Sequence, residues 1–299
     1  EHDDMTATIT PVSQHNGATL TRAVAGERVM MDGGAAPIAT LLQSFADRCE
    51  FAKDGVAFSR PAWSESLYVA SGGTNASFTV GIGAISTVVT YRSGTTTYKT
   101  FAYAGGTIGA SKIQGGGNLA NSTWYYVYCY DNAGALDFEI STVAPNANLC
   151  TKGADSTRTY LGCFPTLSTG APIPLRMKRG RYVYNFAGCA VADTRALNAG
   201  SATANTAVDL APWVPLHTQV ATIRAEVVST SGASINYAYL RAEGEAGADE
   251  VNIPVPGTAA MSNVLVLDIT TDADQDIAYR VTNTGSAPTV TIHVLGFYE

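Results

Sequence analysis

Residues 121–141 read NSTWYYVYCYDNAGALDFEIS, and this stretch indicates the fold more directly than any other part of the chain. Successive side chains of a β-strand point to opposite faces, so the run WYYVYCYD divides into two sets. One face receives Trp124, Tyr126, Tyr128 and Tyr130. The other face receives Tyr125, Val127 and Cys129. Because both faces are bulky and apolar, we expect a strand that is covered on both sides.

Three environments account for such a strand. It lies at the centre of one large core, at a contact between subunits, or in a platform that binds a ligand. The first two explain the aromatic residues through burial and need no chemistry. The candidates for a core or an oligomer interface are Trp124, Tyr126, Tyr128, Tyr130 and Tyr160.

Strand signals recur along most of the chain. Between residues 56 and 190, runs such as SLYVASG, TTYKTFAYAGG and TRTYLGCFPT are separated by turns rich in Gly and Ser. After residue 211, runs such as VATIRAEVVST and TVTIHVLGFYE alternate apolar with polar or small residues. This pattern is typical of antiparallel sandwiches and barrels, whereas a parallel sheet needs helices between its strands. The chain is therefore predicted to be all-β, with two antiparallel, jelly-roll-like β-sandwich domains.

The predicted organisation has four parts. Residues 1–58 form an extended N-terminal region with one short helix at about residues 36–50, where apolar residues recur at steps of three and four. Residues 59–190 form the first sandwich, and residues 212–299 form the second. Residues 191–211 are small, polar and weakly periodic, which indicates a linker or an ordered crossing segment.

Composition and charge exclude some classes of partner. The 299 residues include 18 basic and 25 acidic side chains, for a net charge of -7, so no positive surface for nucleic acid is expected. No apolar run approaches the roughly 20 residues of a membrane helix, and the first residues, EHDDMTATITP, do not have the pattern of a signal peptide. We expect neither nucleic acid nor a membrane as a partner.

Five cysteines invite two interpretations. They contain no CxxC pair, and no His stands at metal-ligand spacing, so no metal site is predicted. Free cysteines pack as small apolar residues, while one or two pairs would form cross-links and leave at least one thiol unpaired. The candidates for cross-links are Cys49, Cys129, Cys150, Cys163 and Cys189.

Catalytic signatures are absent from the sequence. It contains no GxSxG, Walker or HExxH motif, and none of its four histidines has a Cys, Glu or second His in a ligand pattern. His293 lies in a predicted strand, where a packed histidine is expected. Asp137 and Glu139 stand two apart on one predicted strand, as paired carboxylates or as neighbours on a solvent face.

Two charged clusters have structural interpretations. The acidic run DITTDADQDIA at residues 268–278 has the oxygen spacing of a calcium loop, but no Gly stands at the required turn and no Glu closes it. We interpret it as an acidic turn between strands. Lys178, Arg179 and Arg181 form a basic cluster that we assign to a solvated turn.

The stretch at residues 121–141 and the later run TRTYLGCFPTLSTGAPIPLRMKRGRYVY together resemble a module of tailed-bacteriophage virion proteins, of the tail-fibre, spike or decoration type. In that module a Trp-Tyr-x-Val-Tyr strand leads to a Tyr-Leu-Gly strand and then to a Gly-containing turn. The matching residues are Trp124, Tyr125, Val127, Tyr128, Tyr160, Leu161, Gly162 and Gly170. The segment from WVPLH, at residues 213–217, to the final IHVLGFYE resembles the closing β-sandwich of the same proteins.

The resemblance implies a structural or adhesive role without catalysis or cofactors. It implies a homo-oligomer, most often a trimer, made in the host cytoplasm and located on the virion surface. Residues 1–58 would be the attachment region that contacts other virion proteins, and a host-surface glycan is a further partner. The alternatives are a carbohydrate-binding module, which needs an exposed aromatic platform, and a glycan depolymerase, which needs converging carboxylates.

Overall fold

The computed structural model describes residues 19–23, 28–32, 67–91, 98–146, 149, 151–178, 180–184, 190–229, 235–244, 250–256, 261–282 and 288–299. Within these ranges the chain forms strands and two short 3-10 helices, η1 (Ala110–Lys112) and η2 (Val191–Thr194). The prediction of an all-β chain is confirmed. The predicted helix at about residues 36–50 lies outside the described residues.

The strands have the following bounds. The first thirteen are β1 (Thr19–Ala23), β2 (Arg28–Asp32), β3 (Leu67–Ser71), β4 (Phe78–Ile82), β5 (Ile85–Tyr91), β6 (Tyr98–Tyr103), β7 (Gly106–Ile108), β8 (Trp124–Asn132), β9 (Ala135–Ser141), β10 (Thr151–Lys152), β11 (Asp155–Pro165), β12 (Leu175–Lys178) and β13 (Arg181–Tyr184). The others are β14 (Arg195–Gly200), β15 (Thr206–Asp209), β16 (Val220–Val228), β17 (Asn236–Ala242), β18 (Val251–Val255), β19 (Ser262–Thr270), β20 (Asp276–Val281) and β21 (Thr289–Tyr298).

The largest sheet contains nine antiparallel strands in the order β19-β16-β21-β13-β12-β3-β4-β7, with β14 also paired to β21. Strands from both predicted sandwich domains belong to it, and β13 pairs directly with β21 through Val183 and Gly296. The hydrogen bonding of this sheet therefore continues across the predicted boundary. Division of the chain into two separately folding domains stays a prediction.

Two four-stranded antiparallel sheets complete the layers. One has the order β10-β11-β8-β9, and the other has the order β15-β20-β17-β18. Two hairpins, β1-β2 and β5-β6, form separate two-stranded sheets. The strand β8 pairs with β9 on one side and β11 on the other, so the aromatic run is an interior strand of its sheet.

Residues 191–211, predicted as a linker or an ordered crossing segment, are built into the sheets. They contain η2, β14 and β15, and these two strands pair with β21 and β20. Their sequence is dominated by small residues, so the alternation of apolar and polar side chains that marks a strand is weak there. The neighbouring strands provide the hydrogen bonds that make this segment extended.

The layers pack through aromatic contacts into one cluster of buried residues that includes strands from both halves of the chain. Trp124 of β8 contacts Phe297 of β21 edge to face, with ring centroids 5.7 Å apart. Tyr182 of β13 stacks on the same Phe297 at 4.3 Å. These contacts place the sheet that contains β8 against the nine-stranded sheet, a sandwich-type arrangement with its core between the sheets.

Candidate functional site

The aromatic candidates differ in their burial. Tyr126, Tyr128 and Tyr160 are 6%, 0% and 4% exposed, so they belong to the core of the single chain. Trp124, at the start of β8, and Tyr130, two residues before its end, are half-buried. The Tyr128 hydroxyl donates a hydrogen bond to the Val143 carbonyl oxygen at 2.7 Å, which satisfies its polar end. Both faces of β8 are covered within the chain.

A β-bulge in β11 shapes the centre of the molecule. Pairing between β11 and β8 shifts between Tyr160 and Gly162, so Leu161 has no partner in the register. Gly162 then faces β13 closely, because a Cβ atom there would lie 2.8 Å from the Tyr182 hydroxyl oxygen and 3.2 Å from Cδ1 of Leu67. The bulge re-aims the strand so that Tyr160 and Cys163 face the same interior region.

Glu299 lies at the centre of this region, and its side chain is fully buried. The Tyr160 hydroxyl donates to Oε1 at 2.5 Å, and the Tyr182 hydroxyl donates to Oε2 at 2.8 Å. Nε2 of His217 lies 2.6 Å from Oε1, and Sγ of Cys163 lies 3.4 Å from it. We call the five residues Tyr160, Cys163, Tyr182, His217 and Glu299 the Glu299 cluster.

Burial decides the protonation of the groups around Glu299. Burial, together with the charge of the Glu299 carboxylate, raises the pKa of the Cys163 thiol well above its usual range. Burial, followed by the nearby side chains of Cys163 and Glu299, also raises the pKa of Tyr160 and of Tyr182. These hydroxyls therefore stay protonated at neutral pH and act as donors to the carboxylate. The thiol is likewise no free nucleophile, because only a thiolate attacks.

Sequence reasoning did not find this cluster. The sequence contains no His with a Cys or Glu at metal-ligand spacing, whereas the structure brings Cys163, His217 and Glu299 together with their ligand atoms within 4.8 Å of one another. The three residues stand 54 or more positions apart in the sequence, so no spacing motif connects them. Their only sequence signal is that Cys163 follows the Tyr-Leu-Gly run in a predicted strand.

The two free cysteines that the structure describes are Cys129 and Cys163, and both are buried. No cross-link is formed at either of these two positions. The physical reason is their placement in interior strands, where other side chains surround each sulfur atom. Cys49, Cys150 and Cys189 lie outside the described residues.

A pocket of about 360 Å³ opens beside the start of β8. Trp124 and Trp213 line it, and each indole N–H donates to a backbone carbonyl, of Ala211 and Asp193 respectively. The remaining lining residues are the acidic Asp193 and residues that are small, apolar or hydroxyl-bearing: Ser122, Thr123, Pro165, Thr166, Leu167, Ser168, Ile173, Ala192, Ala211 and Pro212. Two tryptophans beside hydroxyl groups form the kind of lining that suits a small amphipathic ligand.

Asp137 and Glu139, the paired carboxylates, each have their own cation. Asp137 forms an ion pair with Lys112, and Glu139 forms ion pairs with Lys152 and Arg158. Burial raises the pKa of Asp137, but hydrogen bonds from Lys112 and neighbouring amides lower it below its ordinary value overall. A glycosidase acid needs a raised pKa, so Asp137 does not suit general-acid catalysis.

The remaining sequence candidates occupy structural positions. The acidic run forms the turn between β19 and β20, where Oδ1 of Asp272 accepts from the amides of Asp274 and Asp276. His293 is 5% exposed in β21, as expected for a packed histidine. Lys178 and Arg181 pair across the β12-β13 hairpin, with the Arg181 guanidinium 5.5 Å from the Tyr298 ring centroid; Arg179 lies outside the described residues.

The edge strand β19 exposes an apolar row. Val264 and Val266 are 44% and 55% exposed, and Met261, just before the strand, is 45% exposed. Within the described part of the chain, β19 pairs only with β16, so its other edge has no strand partner there. None of the helices in the described ranges has the length and apolarity needed to cross a bilayer.

Comparison with known proteins adds little. No family model matches the chain, and no curated protein matches it. Among solved structures, an exo-beta-1,3-galactanase from Phanerochaete chrysosporium with beta-1,3-galactotriose is similar over 93% of this chain and 88% of that chain. The identity is 9% and the TM-score is 0.20, and a similarity this low carries no argument about fold or function.

Proposed function

We propose that this chain is a structural protein of a tailed-bacteriophage particle, a fibre, spike or decoration protein that acts on the particle surface as a homo-oligomer and without catalysis. The observation that carries the proposal is the burial of β8 on both faces. The five residues from Tyr125 to Cys129 are between 0% and 6% exposed. A strand sealed in this way stabilises the protein and offers nothing to a reactant, and the resemblance to virion modules provides the phage context.

The architecture supports a protein built to persist outside the cell. A nine-stranded sheet covered by further antiparallel strands buries a large apolar area, and each Å² contributes roughly 25 cal/mol to stability. Within the described residues, extensive long-range strand pairing also protects the backbone from local opening to proteases. Both properties suit a component of a particle surface.

The edge strand β19 supports self-association. Its unpaired edge and its exposed valines, Val264 and Val266, are the features that allow one strand to pair with another. A second copy of the same chain is the partner that a homo-oligomer provides. Trimeric assembly is the state that the resemblance implies, and attachment to other virion proteins is assigned to residues 1–58.

Light scattering on the purified full chain tests the oligomer. We expect a mass of two or more chains of 31.2 kDa at micromolar concentration, and the mass of a single chain would contradict the proposal. Electron microscopy of phage particles labelled with an antibody against the chain tests the location. Labelling of the head, neck or tail surface is expected, and the absence of label on intact particles that contain the protein would overturn the assignment to the surface.

A carbohydrate-binding role is the second candidate, and the pocket between Trp124 and Trp213 favours it. It is compatible with a virion protein that contacts a host-surface glycan. Ser168 lines the pocket and is exposed, so Ser168→Trp would fill the pocket without disturbing the core. Thr169 is exposed but lies outside the lining, so Thr169→Trp is the matched control. Binding of bacterial polysaccharide that is lost in the first variant and kept in the second would support this role.

The depolymerase alternative has a direct test. Incubation of the protein with bacterial polysaccharide should release no reducing ends, because Asp137 and Glu139 are neutralised by separate cations. Release of reducing ends that is lost on Glu139→Gln would overturn the non-catalytic assignment.

A further inference from the structure

We propose that Cys163, His217 and Glu299 bind a divalent transition-metal ion, with Zn²⁺ as the best fit, at a buried site inside the Glu299 cluster. The site would join β11, the turn around His217 and the C-terminal end of β21. The inference is independent of the proposed virion role, because it depends only on contacts inside one chain.

The geometry brings three ligand atoms together without further folding. Sγ of Cys163, a ring nitrogen of His217 and a carboxylate oxygen of Glu299 all lie within 4.8 Å of one another. In a tetrahedral zinc site, bonds of about 2.0 to 2.3 Å separate the ligand atoms by roughly 3.3 to 3.8 Å. The Nε2 to Oε1 distance of 2.6 Å must therefore widen by less than about 1 Å, and a separation at the 4.8 Å limit of the group must shorten by about 1 Å. The His217 side chain is 14% exposed, and its rotation would provide this movement.

Charge balance is the main argument for a cation. The Glu299 side chain is fully buried, and its one ion-pair partner among the described residues is His217, whose ring carries a charge only when it is protonated. Hydrogen bonds from Tyr160 and Tyr182 satisfy its oxygen atoms but do not neutralise its charge. A divalent ion held by the Cys163 thiolate, the Glu299 carboxylate and a neutral imidazole gives a net charge of zero in the core.

The ligand types select the metal. A thiolate with an imidazole favours Zn²⁺ over Mg²⁺ or Ca²⁺, which prefer oxygen ligands. Binding would transfer the Cys163 thiol proton to solvent as the sulfur-metal bond forms. His217 would coordinate through the Nε2 lone pair, so its ring proton would reside on Nδ1. Tyr160 and Tyr182, which already donate to Glu299, would then hold the carboxylate in place.

Cobalt provides a direct readout of this site. The chelator-treated full chain is titrated with Co²⁺, which the three residues and one water molecule would coordinate tetrahedrally, and the sulfur-to-cobalt charge-transfer band and the d–d bands are followed. We expect both signals at one ion per chain, displacement by Zn²⁺, and a higher melting temperature with Zn²⁺. The absence of a charge-transfer band would overturn the proposal.

Matched variants assign the band to named residues. Cys163→Ser should abolish it, whereas Cys129→Ser should retain it, because Cys129 is an equally buried free thiol outside the three-ligand group. Glu299→Gln keeps the size of the side chain and should weaken Co²⁺ binding by about tenfold or more. Circular dichroism checks that each variant is folded. A band that persists in Cys163→Ser, or affinity unchanged in folded Glu299→Gln, would contradict the site.

Discussion

The Tyr182 hydroxyl donates a hydrogen bond of 2.8 Å to Oε2 of Glu299, although 117 positions separate the two residues. This bond connects β13 to the end of β21 inside the core. The same carboxylate accepts from Tyr160 of β11, so one buried charge joins three strands of two sheets. Stability of the sandwich should therefore depend strongly on Glu299.

Removal of the Glu299 carboxylate should destabilise the protein. Glu299→Ala leaves Tyr160, Tyr182 and His217 without their acceptor, and we expect a loss of about 2 to 4 kcal/mol in the free energy of unfolding. Urea denaturation in the presence of EDTA measures this loss without a metal contribution. The control Glu226→Ala removes a partly exposed ion pair with Arg224 and should cost less than about 1 kcal/mol. Equal losses in the free energy of unfolding of the two variants would show that the buried Glu299 carboxylate stabilises the protein no more than an exposed one.

Gly162 should be required for the close approach of β11 to Tyr182. A methyl group in Gly162→Ala meets the Tyr182 hydroxyl, and that ring cannot retreat because it stacks on Phe297. We expect a destabilisation of about 1 to 3 kcal/mol, measured by urea denaturation. The cost should be smaller in the Tyr182→Phe background, where the nearest atom is gone. A double-mutant cycle with no coupling between the two positions would contradict this explanation.

Asp276 should make stability depend on pH. Burial and the neighbouring carboxylates, first Asp272 and then Asp209, raise its pKa above the ordinary value of 3.8. The folded protein therefore binds this proton more tightly than the unfolded chain does, and the stability contributed by Asp276 falls as the pH rises through the raised pKa. We expect Asp276→Asn to stabilise the protein at neutral pH and to lose this advantage below pH 3.8, as measured by thermal unfolding across the range.

Asp137 provides a control of opposite sign. Burial acts to raise the pKa of Asp137. Hydrogen bonds from Lys112, from the Phe138 backbone amide and from Asn132 outweigh burial, so the pKa is lowered overall. Its contribution to stability is present above the unfolded-state pKa and is lost as the pH falls through the folded-state value. Asp137→Asn should therefore destabilise the protein at neutral pH and have less effect in acid. The same pH trend for both variants would refute the assigned causes.

A charge on the edge strand should prevent self-association. Val266→Lys places an ammonium group on the exposed row of β19, where pairing with another chain would bury it. We expect the mass measured by light scattering to fall to that of one chain, with thermal stability of the monomer unchanged. Val183 is 40% exposed in β13, an interior strand of the same sheet, and Val183→Lys should leave the mass unaltered. If Val183→Lys dissociated the oligomer and Val266→Lys did not, the interface would not lie at β19.

The sequence pattern predicted the strands in which apolar and polar or small side chains alternate clearly. The run WYYVYCYD corresponds to β8, and VATIRAEVVST and TVTIHVLGFYE correspond to β16 and β21. Short strands with small residues, such as β14 and β15, were not distinguished from a linker, because extension there depends on hydrogen bonds to neighbouring strands. The bulge at Leu161 also breaks the two-residue period on which sequence reasoning relies.

The sequence by itself determined the all-β class and the interior, two-faced character of β8, because side-chain alternation and turn residues act over a few positions. Only the tertiary structure decided that strands from both halves share one sheet and that Cys163, His217 and Glu299 meet. Strand pairing over long sequence separations depends on the combined packing of all the sheets. No local spacing encodes which distant side chains the sandwich brings into contact.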